Sequence, residues 1–320
     1  MSNVIVSICC MTYNQDKYIS DALNSFLLQK TDFEYEILIH DDASTDRTVE
    51  IIKEYEKKYP NIIKPIYQTE NQYSKGETIP SAYVFPRVKG KYIALCEGDD
   101  YWTDEKKLKI QVEYMEKHTN CSLCTHAAER VSRDKKGMGV IRSNKGDENY
   151  TTKDVILGGG SMFATNSMFF PTKLVQSLPD FYKNAPIDDY PLTIFLSLFG
   201  SVYYIDKQMS AYRVMAENSW SSKMQASKSE QVKFNKKLTK MLNEIDEYTK
   251  YKHSIAIRKV LETEKINLLK SIIDKRILKS DMYDQLRNKL TIKEKIKIYI
   301  KVYFPFIVNF RNKFRDLINN

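Results

Sequence analysis

The sequence predicts an α/β fold, with a mostly parallel central sheet, flanking helices and a helical C-terminal region. Three observations carry that expectation. Short apolar runs alternate with amphipathic helical patterns, acidic residues collect where two of those runs end, and the composition changes abruptly near residue 223. Alternating strand and helix signals favour a parallel sheet, because parallel neighbours need a long crossover that is usually helical.

Residues 4–10, VIVSICC, form an apolar run of strand length. Residues 16–29 follow with Ile19, Ala22, Leu23, Phe26 and Leu27 at helical spacing. The alternation continues with a strand over 35–40 and a helix over 48–59 that turns Val49, Ile52 and Tyr55 to one face. A strand over 62–68, a helix over 81–88, a strand over 92–96 and a helix over 105–117 come next. Residues 121–127 read as a further strand, whereas 130–150 are polar, basic and glycine-containing, which predicts a long loop or irregular hairpin. Gly158, Gly159 and Gly160 precede the apolar run 162–170 and suit either a close backbone approach or a flexible turn. Residues 190–198 read as a helix ended by Gly200, and 202–205 as a short strand.

A chain of 320 residues, 42% hydrophobic and 12% aromatic, can bury a substantial core. The expected organisation is one large domain over 1–222 and an appendage over 223–320. Charge divides at the same place: residues 2–222 carry 26 basic and 30 acidic side chains, net −4, and residues 223–320 carry 24 and 11, net +13. No stretch approaches the roughly 18 consecutive apolar residues of a membrane-spanning helix, and the N-terminus lacks a signal-type pattern. A cytosolic protein is therefore expected, and the five cysteines fit it. Cys9, Cys10 and Cys96 lie in apolar runs, and the lone pair Cys121 and Cys124 has no second pair at zinc spacing, so it reads as core strand. His40, His118, His126 and His253 show no metal-ligand spacing.

The acids are the chemical signal. The strand over 92–96 ends in Glu97, Gly98, Asp99 and Asp100, and the strand over 35–40 ends in Asp41 and Asp42. A solvated turn explains one such ending, since Gly and Asp favour turns for backbone reasons. Two endings point to a site, because open parallel sheets bind ligands beyond the carboxyl ends of their strands. Clustered carboxylates repel one another unless a cation holds them, and Mg²⁺ and Mn²⁺ are commonly shared between carboxylates and substrate phosphates.

The segments VSICCMTYNQDKYISDALNSFLLQ, EILIHDDASTDRTVEII, GKYIALCEGDDYW, DDYPL and YIDKQMSAYR, in this order, resemble the family-2 inverting glycosyltransferases with the nucleotide-binding GT-A fold. The resemblance covers about residues 4–221. It implies that Thr12 and Tyr13 cup a uridine and that Asp42 accepts from the uracil ring N–H, a task suited to a group that accepts without donating. Glu97, Asp99 and Asp100 fall in the family's metal and ribose region, which implies Asp100 as metal ligand and Asp99 beside the ribose or the metal. Asp189, with Asp188 as the alternative, would be the general base at the start of a helix. Arg213 would pair with diphosphate oxygens, although Met215 stands where relatives often carry His. The implied donor is a nucleotide sugar, a UDP-sugar, the cofactor Mn²⁺ or Mg²⁺, and the acceptor a glycan or lipid-linked oligosaccharide of a surface polysaccharide.

Residues 292–318 interleave lysines and arginines with Ile, Phe and Tyr around Pro305, which should kink the segment. Such a pattern suits docking on an anionic membrane surface at its inner face, or an ordinary helix packed on its own domain. Two other functions compete. A nucleotidyltransferase also joins a doubly wound sheet to acid-held metal, but residues 11–16 lack its usual glycine-rich basic loop, and neither GxxxxGK[ST] nor GxGxxG is present. A non-catalytic basic module could bind nucleic acid through the tail, but apolar residues are too frequent there for a solvated arm, so no nucleic-acid partner is expected.

Overall fold

The computed structural model describes residues 4–214 and 227–304. Strands β1 (Val4–Thr12), β2 (Glu34–Asp41), β3 (Ile63–Tyr67) and β4 (Tyr92–Leu95) form a parallel array in the order β3-β2-β1-β4. Their side chains alternate between two cores. Val6, Ile8, Cys10, Ile37, Ile39, Tyr92 and Ala94 enter one, and Cys9, Leu38, Ile93 and Leu95 the other. Because both faces are covered, these strands read as unbroken apolar runs.

Helices α1 (Ile19–Leu27), α2 (Thr48–Lys58) and α3 (Lys107–Lys117) cover the first face, with Ile19, Leu23, Phe26, Ile52, Leu108 and Met115 in its core. Each fully buried aliphatic side chain contributes about 1.5–3 kcal/mol. Beyond β4 the sheet is mixed. Strands β5 (Tyr101–Trp102), β6 (Cys121–Val131), β7 (Gly137–Ile141), β8 (Glu148–Tyr150), β9 (Phe169–Pro171) and β10 (Ser201–Arg213) extend it as β4-β9-β6-β10-β5, with β7 on β6 and β8 on β10. β9 runs antiparallel to β4 and β6, and only β6 and β10 pair in parallel there. The parallel character thus belongs to the N-terminal array and the β6/β10 pair.

The second face is covered by α4 (Thr152–Gly158), α5 (Asp180–Lys183), α6 (Asp189–Ser197), α7 (Lys228–Tyr248) and α8 (Ser254–Ile272). Leu242 and Ile245 of α7 and Ile257 of α8 share one core with Leu192 and Phe195 of α6. The last helices among the described residues, α9 (Asp281–Leu286) and α10 (Ile292–Tyr303), pack on the end of α8 around a small separate core of Leu269, Ile273, Leu290, Ile298 and Val302. The described part of the tail, 227–304, is largely helical, as expected.

Several elements differ from expectation. The helix expected over 81–88 is a π turn, Pro80–Val84, running into a 3-10 turn, Phe85–Arg87, and Pro86 has no N–H with which to continue an α-helix. Within the polar stretch 130–150, β7 forms the irregular hairpin with β6 that was one of the two expectations, and β8, which pairs with β10, is additional. The short strand expected over 202–205 runs on to Arg213, crossing register shifts near Gln208 where it pairs with β6. The capped helix α4, in which the Thr151 hydroxyl and the Asp154 carboxylate close a capping box, was not anticipated. Pro305 and the segment beyond it lie outside the described residues, as does Met215.

Candidate active site

Because β1, β2 and β4 are parallel, the turns after them open on one edge of the sheet. Thr12 is buried there; its hydroxyl donates to Gln15 Oε1 at 2.8 Å, and its carbonyl accepts the Asp42 N–H at 3.0 Å. Tyr13 is half-buried beside it. Asn14 and Ala43 both adopt left-handed backbone, with φ of 52° and 62°. The two turns are tied together: Asn14 N–H donates to Ser44 Oγ at 2.9 Å and Thr45 N–H to Asn14 Oδ1 at 2.7 Å. A non-glycine residue held this way costs about 1–3 kcal/mol and persists where its surroundings over-determine it, often at functional sites.

The two acids after β2 divide their work. Asp41 closes its own turn, accepting the Ser44 N–H at 2.9 Å and the Ser44 hydroxyl at 2.5 Å. Asp42 accepts the N–H groups of Gln72 at 2.8 Å and Tyr73 at 3.0 Å, one on each oxygen. An ionised carboxylate has about four lone-pair sites, so both oxygens can take a further donor. The start of α2 is served by Asp46, which accepts both the N–H and the hydroxyl of Thr48. Neither Asp41 nor Asp42 is its cap.

The loop over 97–100 lies directly on the end of β1. Gly98 donates its N–H to the Met11 carbonyl at 3.0 Å. A Cβ there would stand 2.4 Å from Gln15 Oε1 and 2.9 Å from Thr12 Cβ, so only glycine permits the approach. Glu97 and Asp99 are half-buried and make no ion pair among the described residues. Burial pushes the Glu97 carboxyl up to about 8, and the charges of Asp99, Asp189 and Asp188 add to it. Burial also raises Asp99, against the pull of Arg213 and Gln15. Tyr212, on β10, is raised by burial and then by Glu97, Asp100, Asp99 and Asp189. The adjacent residues Thr165 and Asn166 bond Asp189 and Asp100 respectively, which brings the start of α6 beside the acid loop, and the mutual repulsion of the carboxylates accords with that.

Asp188 and Asp189 sit on the other side of that space, both half-buried. Asp189 Oδ1 accepts the Tyr190 N–H at 2.6 Å, and Oδ2 accepts the Thr165 hydroxyl at 3.4 Å. Asp188 is pushed up to about 7 by burial and by Asp189. Tyr73, whose N–H rests on Asp42, is raised by burial and by Asp188.

Asp100 and Arg213 occupy a lower layer. Asp100 is 1% exposed, and its oxygens accept the Arg213 N–H at 2.7 Å and the Asn166 side-chain N–H at 2.9 Å. Asn166 also donates to the Ala211 carbonyl, accepts the Ser210 hydroxyl, and receives Trp102 Nε1–H on its carbonyl at 3.0 Å. The Arg213 guanidinium donates to the Asp99 carbonyl and to Asp21 Oδ2 at 3.0 Å. It lies 4.5 Å from the Tyr18 ring centroid and 5.4 Å from that of Tyr101. Its side chain is 1% exposed, and its Nε–H is buried with no hydrogen-bond partner among the described residues.

Sequence reasoning missed Asn166, Tyr212, Asp21 and Gln15. Only Asn166 left a trace, as a lone amide inside the apolar run 162–170. Among the described residues, no group of three or more His, Cys, Asp or Glu side chains stands at metal-binding spacing. Cys121 and Cys124 are buried free thiols in β6, as a core strand requires.

Residues 7–173 match the family described as "Glycosyl transferase family 2". An uncharacterised protein of Mycobacterium tuberculosis is 34% identical over 219 residues, 68% of this chain and 61% of that protein. The putative teichuronic acid biosynthesis glycosyltransferase TuaG of Bacillus subtilis is 34% identical over 111 residues, 35% of this chain and 42% of TuaG. The crystal structure of residues 1–349 of S. aureus TarS in complex with UDP-GlcNAc matches with a TM-score of 0.63 and 19% identity, over 92% of this chain and 78% of that one. At that identity the likeness is one of fold. The chain spans about three fifths of the length of the mycobacterial relative.

Proposed function

Because this chain belongs to glycosyl transferase family 2, we propose that it moves a sugar from a nucleotide-sugar donor to a hydroxyl of a glycan or lipid-linked glycan in surface-polysaccharide synthesis. The donor is a UDP-sugar and the anomeric carbon is inverted. The observation that carries this reading is the meeting of the acid loop over 97–100 with the ends of β1 and β2 at Thr12 and Asp42, and with Asp189 through the adjacent residues Thr165 and Asn166. The naming of TuaG for teichuronic acid biosynthesis and the UDP-GlcNAc held by TarS favour it.

In this proposal the uridine lies over Thr12 and Tyr13, and Asp42 uses its spare lone pairs to accept the uracil N–H. Glu97 and Asp99 suit a hard divalent cation, Mn²⁺ or Mg²⁺, since they are half-buried neighbouring acids that make no ion pair among the described residues. One or two carboxylates, with substrate phosphates beside them, are the usual protein share for such ions. When bound, the cation would draw negative charge from the departing diphosphate. The ligand role expected of Asp100 passes here to Asp99, because Asp100 is buried and already holds Asn166 and Arg213. Arg213, for which a diphosphate role is expected, is read in this proposal as fastening the acid loop to Asp21.

Asp189 acts as general base. The Tyr190 N–H and the Thr165 hydroxyl fix its orientation, and it takes the proton of the acceptor hydroxyl as that oxygen attacks the sugar carbon. The new C–O bond forms on the face opposite the bond that breaks, and the nucleoside diphosphate leaves. A base of this kind contributes about 10²–10⁴-fold.

The test uses the purified chain with a panel of UDP-sugars and Mn²⁺, read by UDP release and by thermal shift. Asp99→Asn should lower release by roughly 10²-fold or more. Asp189→Asn should keep the donor-induced thermal shift and lose transfer. Absence of a shift with any nucleotide sugar, or full release by Asp99→Asn, would refute the assignment.

A further inference from the structure

The outer face of α10 is apolar, and nothing among the described residues covers it. Ile292, Ile296, Tyr299 and Tyr303 succeed one another at helical intervals of four, three and four residues and are 77%, 54%, 54% and 42% exposed. They form one stripe along the helix. Ile298 and Val302, on the other side, hold α10 to its small core. The helix thus has two apolar faces, and its own packing uses one of them. Phe304, 40% exposed, extends the stripe past the end of the helix.

The charges beside the stripe are arranged to match. Lys293, Lys295 and Lys297 are exposed and flank it on both sides, with no ion pair among the described residues. By contrast, Lys270 is tied to Glu294, and Lys301 donates to the carbonyls of Lys270 and Ser271. Between the stripe and the rest of the helical end runs a shallow groove of about 320 Å³, lined by Leu278, Tyr283, Ile296, Ile298 and Tyr299 with Lys295 at its rim.

We propose that this face docks on an anionic lipid surface, with the stripe set at the boundary between headgroups and acyl chains and the lysines against lipid phosphates. Three physical points favour lipid over other occupants. Tyrosine suits this boundary, because its ring is apolar and its hydroxyl reaches water. The region over 223–320 carries net +13 while the rest of the chain is net −4, so an anionic surface attracts the helical end and not the body. A second copy meeting stripe to stripe would bring like-charged lysine rows together. A nucleic acid would use the lysines but leave the isoleucines in water. Among the described residues no helix is long and apolar enough to cross a membrane, so the contact would be a shallow one.

The inference does not depend on the transferase reading, and its test reads binding instead of turnover. Co-sedimentation compares vesicles of phosphatidylcholine alone with vesicles containing roughly 30% phosphatidylglycerol, a composition that gives a negative surface potential. The full chain should bind only the anionic vesicles, and added salt should weaken binding. The exposed double variant Ile296→Ser/Tyr299→Ser should bind about tenfold or more weakly, with unchanged thermal unfolding. Lys293→Gln/Lys297→Gln should weaken binding on anionic vesicles. The proposal is overturned if the full chain ignores anionic vesicles, if the stripe variant binds them as tightly as the parent, or if the parent is a dimer that the stripe variant converts to monomer without any vesicle binding.

Discussion

Lys107 is fully buried at the start of α3, donating to Gln111 Oε1 at 2.7 Å with its nitrogen 4.1 Å from the Trp102 ring centroid. Burial pushes its pKa down to about 7, against the pull of Cys96 and Cys124. In the unfolded chain a lysine titrates near ~10.4. Between those values the unfolded state binds a proton that the folded state lacks, so this lysine makes stability rise with pH. Its penalty is fully present below the folded value and is relieved towards the unfolded one. The buried thiols of Cys9, Cys10, Cys96 and Cys124, all raised by burial, work the opposite way once unfolded thiols ionise near ~8.5. Up to about pH 8 the raised Glu97 carboxyl works against it, so the readout is a difference: in chemical denaturation between about pH 7 and 8.5, the slope of stability on pH should be lower in Lys107→Met than in the parent by up to about 1.4 kcal/mol per pH unit. Parallel curves for the two proteins would contradict the assignment. In sequence Lys107 looks like any solvated helix lysine, because burial of an ammonium leaves no periodic mark. Acids that end apolar runs, such as Asp42 and Asp99, were legible, whereas Asp189, at the start of a helix, stood out only through the family resemblance. Which of the neighbours Asp99 and Asp100 faces the crevice was not, since adjacent residues of an extended turn point different ways.

At the level of elements, the acid loop is held by what lies beneath it. Asn166 follows the glycine-rich turn, is fully buried, and joins Asp100, Ser210, Ala211 and Trp102, so it ties the loop to β10 and β5. Asn166→Ala would leave one oxygen of a buried carboxylate and the Ala211 carbonyl without those donors, at a cost of about 1–3 kcal/mol each. The expected outcome is a lower denaturation midpoint together with weaker donor binding; an unchanged KM for donor in the folded variant would show that the loop does not need this support. The sequence revealed the strand and helix alternation through α3 because each element there has a face to bury. It misjudged the stretch over 81–88, where Pro86 interrupts an apolar pattern, and β10, where Asp206 and Lys207 break the pattern at a register shift. Pairing with β6 carries that strand on, and pairing partners are invisible in a local pattern.

Across the whole molecule, two large cores hold the sheet and its helices, and a third, of Leu269, Ile273, Leu290, Ile298 and Val302, holds the helical end. So small a core supports local opening at less free energy than the sheet requires. Amide hydrogen exchange should therefore be fastest in α9 and α10 and slowest in β1, β2 and β4; uniform protection across these elements would mean that the end unfolds only with the rest. The division of charge at residue 223 was legible in composition, but the packing of α7 and α8 into the main core was not, since a lysine-rich helix can still present one apolar face. One pairing also bears on how the chain is made. β6 is a mostly buried strand whose parallel partner begins about 80 residues later, at Ser201 opposite Cys121. At a synthesis rate of roughly 5–20 residues per second, β6 waits several seconds on the ribosome with that edge unpaired, a natural stopping place for a chaperone before β10 arrives.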